Sequence, residues 1–194
     1  MTDTRVILAS TSQYRRELLS RILCSFETVD PEVDERPQQE TIAEPARLAS
    51  TLAQLKAESV ARRHPDAVVI GSDQVACLGD RILGKPGNSE NACSQLRLMS
   101  GQTHQLFTAV CVIAPDRTVE FSNTTHLTMR ELTCEQIRRY VERDQPVHCA
   151  GSYMIEAGGI ALFSAVETTD FTAITGLPLI ELSTTLLNLR VNLL

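Results

Sequence analysis

The sequence of 194 residues contains no tryptophan, and aromatic residues make up only 4% of it. A hydrophobic core must therefore be built mainly from leucine, valine, isoleucine and alanine. Positive charge is also scarce, because 18 Lys and Arg residues are outnumbered by 24 Asp and Glu residues, giving a formal net charge of -6. This balance argues against general binding to nucleic acids or anionic membranes, which requires a basic surface. It still allows a small anionic ligand, which a few local cations can bind.

Long apolar runs, flexible linkers and paired cysteines are missing as well. No stretch reaches the length of a transmembrane helix, and the N-terminus is too short and polar for a signal peptide. The six cysteines are dispersed without a C-x-x-C pair, so we expect buried, reduced thiols and a cytoplasmic protein. The length suits one domain over residues 1–194, or two small lobes that share a cleft.

Apolar periodicity predicts strands and helices that alternate early in the chain and form a meander in its middle. Strands are expected at Val6–Ala9, Ala67–Ile70, Leu106–Ala114, Val119–Met129 and Ile160–Phe163. The first two helices are expected after Ser12, with an apolar face that ends at Leu23, and over about Glu44–Arg63. Three more are expected: one that begins after Asn88, one from the Thr133/Gln136 capping box through Val141, and one that begins after Pro178. The acidic stretch Asp30–Glu40 is expected to be a loop. This order predicts an α/β fold with a mixed, twisted sheet and flanking helices.

Familiar catalytic motifs are absent or incomplete. Residues 79–85 match the first seven positions of a P-loop, but the eighth is Pro86, which supplies neither a hydroxyl for magnesium nor an N–H for phosphate. There is no G-x-S-x-G nucleophile elbow, no G-x-G-x-x-G and no H-E-x-x-H. The four histidines are scattered and are expected to be structural or exposed.

Polar residues follow the two early apolar strands. Ser10 to Arg16 follow the first strand and open a helix, so hydroxyls, helix N–H groups and guanidinium groups could bind a phosphate there. The alternative is an ordinary N-cap with two solvated arginines. Asp73 follows the second strand, where a carboxylate must be paired, metal-bound or catalytic, unless it is a satisfied turn residue.

Two lysines and an acidic pair are further candidates. Lys56 borders the buried face of the long helix, and Lys85 follows Gly84 in a tight loop, so each is either a phosphate ligand or an exposed lysine. Asp34 and Glu35 could supply carboxylates to magnesium or be solvated loop charges.

These segments together resemble the Maf family of nucleoside-triphosphate pyrophosphatases. The resemblance is carried by Val6–Leu19, Glu32–Glu35, Lys56–Ala57, Ile70–Val75, Gly84–Pro86, Leu98–Gly101, Ala150–Tyr153 and Gly176–Leu179. It covers nearly the whole chain in order and spacing. One departure is Gln13, where the family usually has proline, and we expect this exchange to loosen the entry to the helix without removing any chemistry.

The resemblance implies a single Maf/ITPase-like domain over residues 1–194, with two lobes around a deep cleft. It implies hydrolysis of a nucleotide to its monophosphate and diphosphate, with a homodimer as a family-level expectation. The expectation of no nucleic acid or membrane partner rests on the acidic net charge. By position, it implies that Asp73 is the proton acceptor. The implied phosphate-binding residues are Ser10, Arg15, Lys56 and Lys85. The implied ligands of a divalent cation, Mg²⁺ or Mn²⁺, are Asp34, Glu35 and Asp73.

Three positions distinguish branches of the family, and here they are Tyr14, Gln74 and Glu156. They resemble the branch that cleaves 7-methyl-GTP, whereas the branch for pyrimidine nucleotides typically has arginine, threonine and glutamine. A guanine methylated at its seventh nitrogen is positively charged, so Glu156 can pair with it and Tyr14 can add a cation–π contact of roughly 0.5–2 kcal/mol. Without the resemblance, Glu156 would be interpreted as a loop charge and Tyr14 as a core residue.

Other functions remain open at this point. One is a pyrophosphatase for other substrates, such as deaminated purine nucleotides or pyrimidine nucleotides. Another is a nucleotide-binding regulator of cell division without turnover. Detection of diphosphate after incubation with a panel of nucleotides separates these hypotheses.

Overall fold

The computed structural model describes residues 4–194 and has a mixed α/β fold. The strands in this range are β1 (Val6–Ala9), β2 (Glu27–Val29), β3 (Val68–Leu78), β4 (Arg81–Leu83), β5 (Thr103–Ile113), β6 (Thr118–Met129) and β7 (Phe163–Glu167). The α-helices are α1 (Gln13–Leu19), α2 (Arg36–Thr41), α3 (Pro45–Ala61), α4 (Ser89–Met99), α5 (Cys134–Asp144) and α6 (Leu179–Asn188). Short 3₁₀ segments lie at Ala150–Ser152, Gly158–Leu162 and Phe171–Thr175. No helix of the described range is long and apolar enough to span a membrane.

The sheet is mixed, as the sequence predicts. The hydrogen-bonded strand order is β2-β1-β3-β5-β6-β7, and β4 pairs with β3. Strand β1 is parallel to both β2 and β3, whereas the β3–β4 and β6–β7 pairs are antiparallel. In the β1–β3 pair, Ala9 is opposite Gly71. Ser10 and Ser72, which follow these two residues, are therefore close to each other in the sheet.

The chain divides into two compact units. The first comprises residues 4–74, Thr108–Asn123 and Asp170–Leu194, and the second comprises Val75–Phe107 and Thr124–Thr169. The core of the first unit consists of aliphatic side chains that are almost completely buried, among them Leu8, Leu19, Ile70, Val112 and Leu182. This composition confirms a core built without tryptophan. The deep cleft and the single functional domain over residues 1–194, which the family resemblance implies, remain predictions.

Several helices begin at the predicted capping residues. The Thr133 hydroxyl accepts a hydrogen bond from the Gln136 backbone N–H, and the Gln136 side chain accepts one from the Thr133 backbone N–H, so the predicted capping box is confirmed. The side chain of Asn88 caps α4 in the same way, accepting from the Asn91 N–H at 2.8 Å. Helix α3 begins after Glu44 and α6 after Pro178, as predicted.

The largest error in the predicted elements concerns β3. The sequence predicts that this strand ends at Ile70 and that Asp73 lies just beyond it, but the strand continues to Leu78 and contains Asp73. The polar residues do not end the strand because each has a partner. The Ser72 hydroxyl donates to the Gly176 carbonyl at 2.9 Å, and the Asp73 carboxylate accepts from Lys56.

Other bounds also differ, among them those of the expected loop, of α1 and of β7. The expected loop over Asp30–Glu40 contains the start of α2, because Pro37 in the first helical turn has the fixed φ that a helix requires. Helix α1 ends at Leu19 and not at Leu23, since the Ser20 hydroxyl bonds the Glu17 carbonyl and the chain turns. Residues 158–162 form a 3₁₀ segment, so the strand predicted there begins only at Phe163.

The cysteines form no disulfide within residues 4–194, and their exposures differ. Cys77 and Cys111 are buried, and Cys93 and Cys149 are half-buried, but Cys24 and Cys134 are exposed. The prediction of burial is therefore wrong for these last two residues, which lie at the polar edges of their segments.

Helix α3 approaches β3 very closely at Gly71. A Cβ atom on this glycine would lie 2.4 Å from the Ala53 carbonyl oxygen and 2.6 Å from the Ala57 nitrogen, so the absence of a side chain permits the contact. Lys56 precedes Ala57 on this buried face of the helix, and Asp73 is two residues beyond Gly71 on the strand. The close packing therefore sets the separation over which Lys56 reaches Asp73.

We expect Gly71→Ala to lower the free energy of unfolding by about 1–3 kcal/mol, because the added methyl group would clash with the α3 backbone. Urea denaturation of the full chain measures the effect. The control is Gly84→Ala, where a Cβ would meet nothing within 4 Å, and its unfolding free energy should change by no more than about 0.5 kcal/mol. Equal stability of the Gly71→Ala variant and the parent protein would contradict the packing described here.

Candidate active site

Lys56 forms the centre of a charged cluster in the first unit. Its Nζ atom lies 2.5 Å from Asp73 Oδ1 and 2.6 Å from Glu35 Oε1. The side chains of Lys56 and Asp73 are each only 11% exposed, whereas Glu35 is 35% exposed. The ammonium group of Lys56 on α3 therefore joins Asp73 on β3 to Glu35, which directly precedes α2. The sequence left open how Asp73 is satisfied, and the structure shows that it is ion-paired.

The burial of this cluster explains why its members must occur together. An ammonium or a carboxylate that is removed from water without a partner costs several kcal/mol, so such groups are paired in folded proteins. The stem of Lys56 is buried beside Ala53 and Ala57 on α3, which leaves the ammonium to be neutralised by the two carboxylates. Lys56 is therefore a buried, ion-paired residue, which excludes the alternative of an exposed lysine.

Arg15 lies in the same electrostatic environment. It is half-buried on α1, and its Nε atom donates to the Gly176 carbonyl at 3.2 Å. Burial lowers the pKa of the Arg15 guanidinium, while the negative charges of Asp73 and Glu35 act in the opposite direction. Arg15 is therefore not one of two solvated arginines; the carboxylates that bind Lys56 also stabilise its charge.

Ser10 lies at the end of β1 and is buried. Its Oγ atom accepts a hydrogen bond from the Ser12 N–H at 3.1 Å, and the Ser12 hydroxyl in turn accepts from the Arg15 N–H at 3.4 Å. These two bonds shape the turn between β1 and α1. They also connect Ser10 to the backbone of Arg15, so the structure brings two of the predicted phosphate-binding residues into one turn.

Asp34 is separated from this cluster, although it is adjacent to Glu35 in the sequence. Its carboxylate accepts hydrogen bonds from Arg36, from Nε at 2.9 Å and from Nη2 at 2.9 Å, and this bonding lowers the pKa of Asp34. Asp34 is also exposed. The structure thus directs Glu35 toward Lys56 and pairs Asp34 with Arg36.

The carboxylates of Glu35 and Asp73 are suitable ligands for a divalent cation that is bound partly by substrate. Magnesium is usually held by one or two carboxylates together with phosphate oxygens and water. Within residues 4–194, no group of three or more His, Cys, Asp or Glu side chains is arranged as a metal site. The two carboxylates beside Lys56, those of Glu35 and Asp73, are the side chains that would hold such an ion.

Gln74 is hydrogen-bonded to the 3₁₀ segment Phe171–Thr175, and the helix that carries Tyr14 contacts the same segment. The Gln74 Nε2 atom is 3.0 Å from Thr108 Oγ1, 2.9 Å from the Ala173 carbonyl and 3.0 Å from the Ile174 carbonyl. Helix α1, which carries Tyr14, contacts the same segment. Tyr14 is 36% exposed, so it is not the core residue that its helical spacing also allowed.

Lys85 and Glu156 are exposed residues of the second unit. Both lie close enough to Cys149 to affect it: burial and Glu156 raise the pKa of this thiol, and Lys85 lowers it. The loop of Lys85 is held by α4, because Gln95 Nε2 donates to the Gly84 carbonyl at 3.0 Å and Asn91 Nδ2 donates to the Pro86 carbonyl at 2.9 Å. The structure thus places Lys85 and Glu156 in one neighbourhood of this unit.

Some residues around the site were not singled out from the sequence. Ser72, Thr108 and Asp170 are buried polar residues, and all of them hydrogen-bond to other parts of the first unit. Gly176 appeared only as part of a motif and had no predicted role. A polar residue within or beside an apolar run is the only sequence signal for such positions, and it does not identify the partner.

Comparison with known proteins gives a consistent result. The family model described as "Maf-like protein" matches residues 5–189. A protein of Bdellovibrio bacteriovorus named 7-methyl-GTP pyrophosphatase is 47% identical over 188 residues, covering 97% of this chain and 98% of the relative. Relatives with the same name from Xanthomonas axonopodis pv. citri and Aromatoleum aromaticum are 50% and 48% identical. The match to the Xanthomonas protein covers 92% of this chain and 93% of the relative, and the match to the Aromatoleum protein covers 94% of each.

We expect Lys56→Met to lower the free energy of unfolding by about 3 kcal/mol, because it leaves the buried carboxylate of Asp73 without its counter-ion. Asp73→Asn in the Lys56→Met background should recover part of that loss, with a coupling energy of at least about 1 kcal/mol. Urea denaturation of the parent protein, the two single variants and the double variant measures this coupling energy. Arg47→Met, an exposed position on the same helix, is the control and should have an effect within about 0.5 kcal/mol. Strictly additive effects of the two substitutions would show that the pair is not coupled.

Proposed function

Since the chain belongs to the Maf family, we propose that it is a nucleoside-triphosphate pyrophosphatase that hydrolyses 7-methyl-GTP to 7-methyl-GMP and diphosphate. The observation that carries this proposal is the full-length similarity to proteins of that name, at 47–50% identity. The cluster of Lys56, Glu35 and Asp73 beside Arg15 supports it, because polyphosphate hydrolysis needs a carboxylate and cations in one place.

In this proposal, the bond that breaks joins the α-phosphorus to the oxygen bridging to the β-phosphate. A water molecule attacks the α-phosphorus, and Asp73 accepts its proton. Asp73 is suited to this role because its side chain is nearly buried on β3, beside the cations that would bind the phosphates. Diphosphate leaves with the bridging oxygen.

The cations of the chain neutralise the phosphates. Arg15 and Lys56 of the first unit would bind phosphate oxygens as negative charge moves toward the leaving group, with Ser10 as an additional hydrogen-bond donor. Lys85 is kept as a further phosphate-binding residue on the basis of the family resemblance alone. When the ammonium of Lys56 turns from Asp73 to a phosphate oxygen, the carboxylate is released to accept a proton.

A divalent cation, Mg²⁺ or Mn²⁺, is part of this proposal. Glu35 and Asp73 would hold it, and it would supply charge neutralisation and polarisation of phosphate oxygens. Asp34 is left out of this role, because its carboxylate is bonded to Arg36.

We assign selectivity for the methylated base to Glu156, Tyr14 and Gln74. The carboxylate of Glu156 is exposed, and so is part of the Tyr14 ring, so both can meet a cationic base. The Nε2 group of Gln74 already donates to the Ala173 and Ile174 carbonyls, which makes its Oε1 atom the one suited to accept an N–H of the base. Neutral GTP would gain less from this set of groups.

The alternative functions predict different products. A pyrophosphatase for deaminated purines or pyrimidine nucleotides would prefer the triphosphates of inosine, xanthosine, uridine or thymidine, and a regulator would bind nucleotide without releasing diphosphate. We further propose a cytoplasmic location, because cysteines that form no disulfide suit a reducing compartment. A homodimer is proposed from family membership alone.

Replacement of Asp73 by asparagine should reduce kcat by about 10²–10⁴, because the proton acceptor is lost. The variant should fold, since Lys56 keeps its contact with Glu35. Release of diphosphate from 7-methyl-GTP is the measurement, and circular dichroism checks folding. Asp66→Asn, at an exposed position before β3, is the matched control with unchanged turnover. Near-parental turnover in the Asp73→Asn variant would exclude Asp73 as the base.

Replacement of Glu156 by glutamine should reduce the preference for 7-methyl-GTP over GTP by about tenfold, because the charge that pairs with the methylated base is removed. The ratio of the two kcat/KM values is the measurement. Glu142→Gln, an exposed residue of the same unit, should leave this ratio as it is in the parent. A higher kcat/KM for inosine or uridine triphosphate than for 7-methyl-GTP would overturn the proposed substrate.

A further inference from the structure

The carbonyl oxygen of Gly176 connects two parts of the candidate site. It accepts a hydrogen bond from Arg15 Nε at 3.2 Å and a second from the Ser72 hydroxyl at 2.9 Å. Ser72 is completely buried and is adjacent to Asp73 on β3. One backbone carbonyl is therefore bonded both to a predicted phosphate ligand and to the neighbour of the predicted base.

The conformation of Gly176 also matches Arg15. Its φ angle is 122°, in a region where residues with a side chain are strained. A Cβ atom at this position would lie 3.1 Å from Arg15 Nε and 3.2 Å from Arg15 Cγ. The missing side chain thus leaves room for the stem of the arginine, while the carbonyl binds its Nε.

The Asp170 carboxylate accepts hydrogen bonds from residues on both sides of Gly176. Its Oδ1 atom accepts from the Thr172 N–H at 2.9 Å and from the Thr172 hydroxyl at 2.6 Å, and its Oδ2 atom accepts from the Ile180 N–H at 2.7 Å. The Thr172 hydroxyl oxygen also accepts from the Leu179 N–H at 2.9 Å. These bonds join the chain before Gly176 to the chain after it, and the side chain of Asp170 is buried.

The same segment is attached to the sheet. The Ala173 carbonyl accepts from Gln74 Nε2 at 2.9 Å and from the Thr108 hydroxyl at 2.9 Å, which connects the segment to β3 and β5. The Gly176 N–H donates to the same carbonyl of Ala173 at 3.0 Å. The position of Gly176 is thus fixed by bonds on both sides.

We propose that the segment Asp170–Ile180 positions Arg15 for polyphosphate binding, with Gly176 and Asp170 as its positioning residues. The Nε group of Arg15 donates to the Gly176 carbonyl, so the two terminal amino groups of the guanidinium are left to bind phosphate oxygens. A guanidinium held in one orientation loses less conformational freedom when it binds, and small displacements of such a group are costly to binding and catalysis. This inference rests on the proposed function, because it takes Arg15 to be a ligand of the diphosphate part of the substrate.

The test is the affinity of the full chain for inorganic diphosphate in the presence of Mg²⁺, measured by calorimetry. We expect Gly176→Ala to raise Kd at least about tenfold, since it displaces Arg15. Arg15→Met should raise Kd by a similar factor. Adding Gly176→Ala to Arg15→Met should then change Kd by less than about twofold, because both substitutions act on one interaction. Gly79→Ala is the matched control: Gly79 also has a positive φ, of 57°, but a Cβ there would meet nothing within 4 Å, so diphosphate affinity should not change.

A second variant covers the case in which Gly176→Ala does not fold. Asp170→Asn preserves the shape of the side chain but weakens its bonds to the segment, so it should raise Kd several-fold with Arg15 present and have no further effect in the Arg15→Met background. Unchanged affinity in the folded positioning variants, or the same loss with and without Arg15, would overturn the inference. Absence of diphosphate binding by the parent protein would overturn it as well. If binding follows the expected pattern but 7-methyl-GTP is not hydrolysed, the proposed function fails and the inference stands.

Discussion

The contact of one lysine ammonium with two carboxylates is the interaction on which the candidate site depends. Lys56 and Asp73 are both nearly buried, so Asp73 needs the charge of Lys56, and Lys56 is stabilised by Asp73 and Glu35 together. Their pairing requires α3 to lie very close to β3, and Gly71 makes that approach possible because it has no side chain. The packing of the first unit and the chemistry proposed for it thus involve the same few residues. A substitution chosen to change the chemistry will also affect stability.

Buried hydrogen bonds organise the rest of the first unit in a similar way. The hydroxyls of Ser72 and Thr108 and the carboxylate of Asp170 all bind the segment that carries Gly176, either through its carbonyls or through its N–H groups. Such networks are rigid when every member is satisfied. Arg15 is attached to this network through Nε, so its orientation follows from the backbone of a distant part of the chain. The proposed phosphate site is therefore pre-arranged by groups that need not touch the substrate.

Local signals in the sequence predicted much of this structure, and long-range contacts account for what they missed. The capping box at Thr133 depends on residues three apart, and β1 is marked by a continuous apolar run, so both were predicted. The polar residues Ser72 and Asp73 indicated the end of a strand, yet β3 continues through them because their partners lie 104 and 17 residues away. The sequence also could not separate Asp34 from Glu35. Adjacent carboxylates have the same chemistry, and only the backbone before α2 directs one to Arg36 and the other to Lys56.

The balance of charges in the cluster has a consequence for how a nucleotide reaches it. Arg15 and Lys56 are matched by Glu35 and Asp73, so this part of the first unit is formally neutral, within a chain whose net charge is -6. A triphosphate that approaches from a distance therefore meets a weakly repulsive field and is attracted only at short range. Higher ionic strength screens that repulsion, so the encounter rate should rise with salt, whereas it falls for proteins that collect anions with a basic surface.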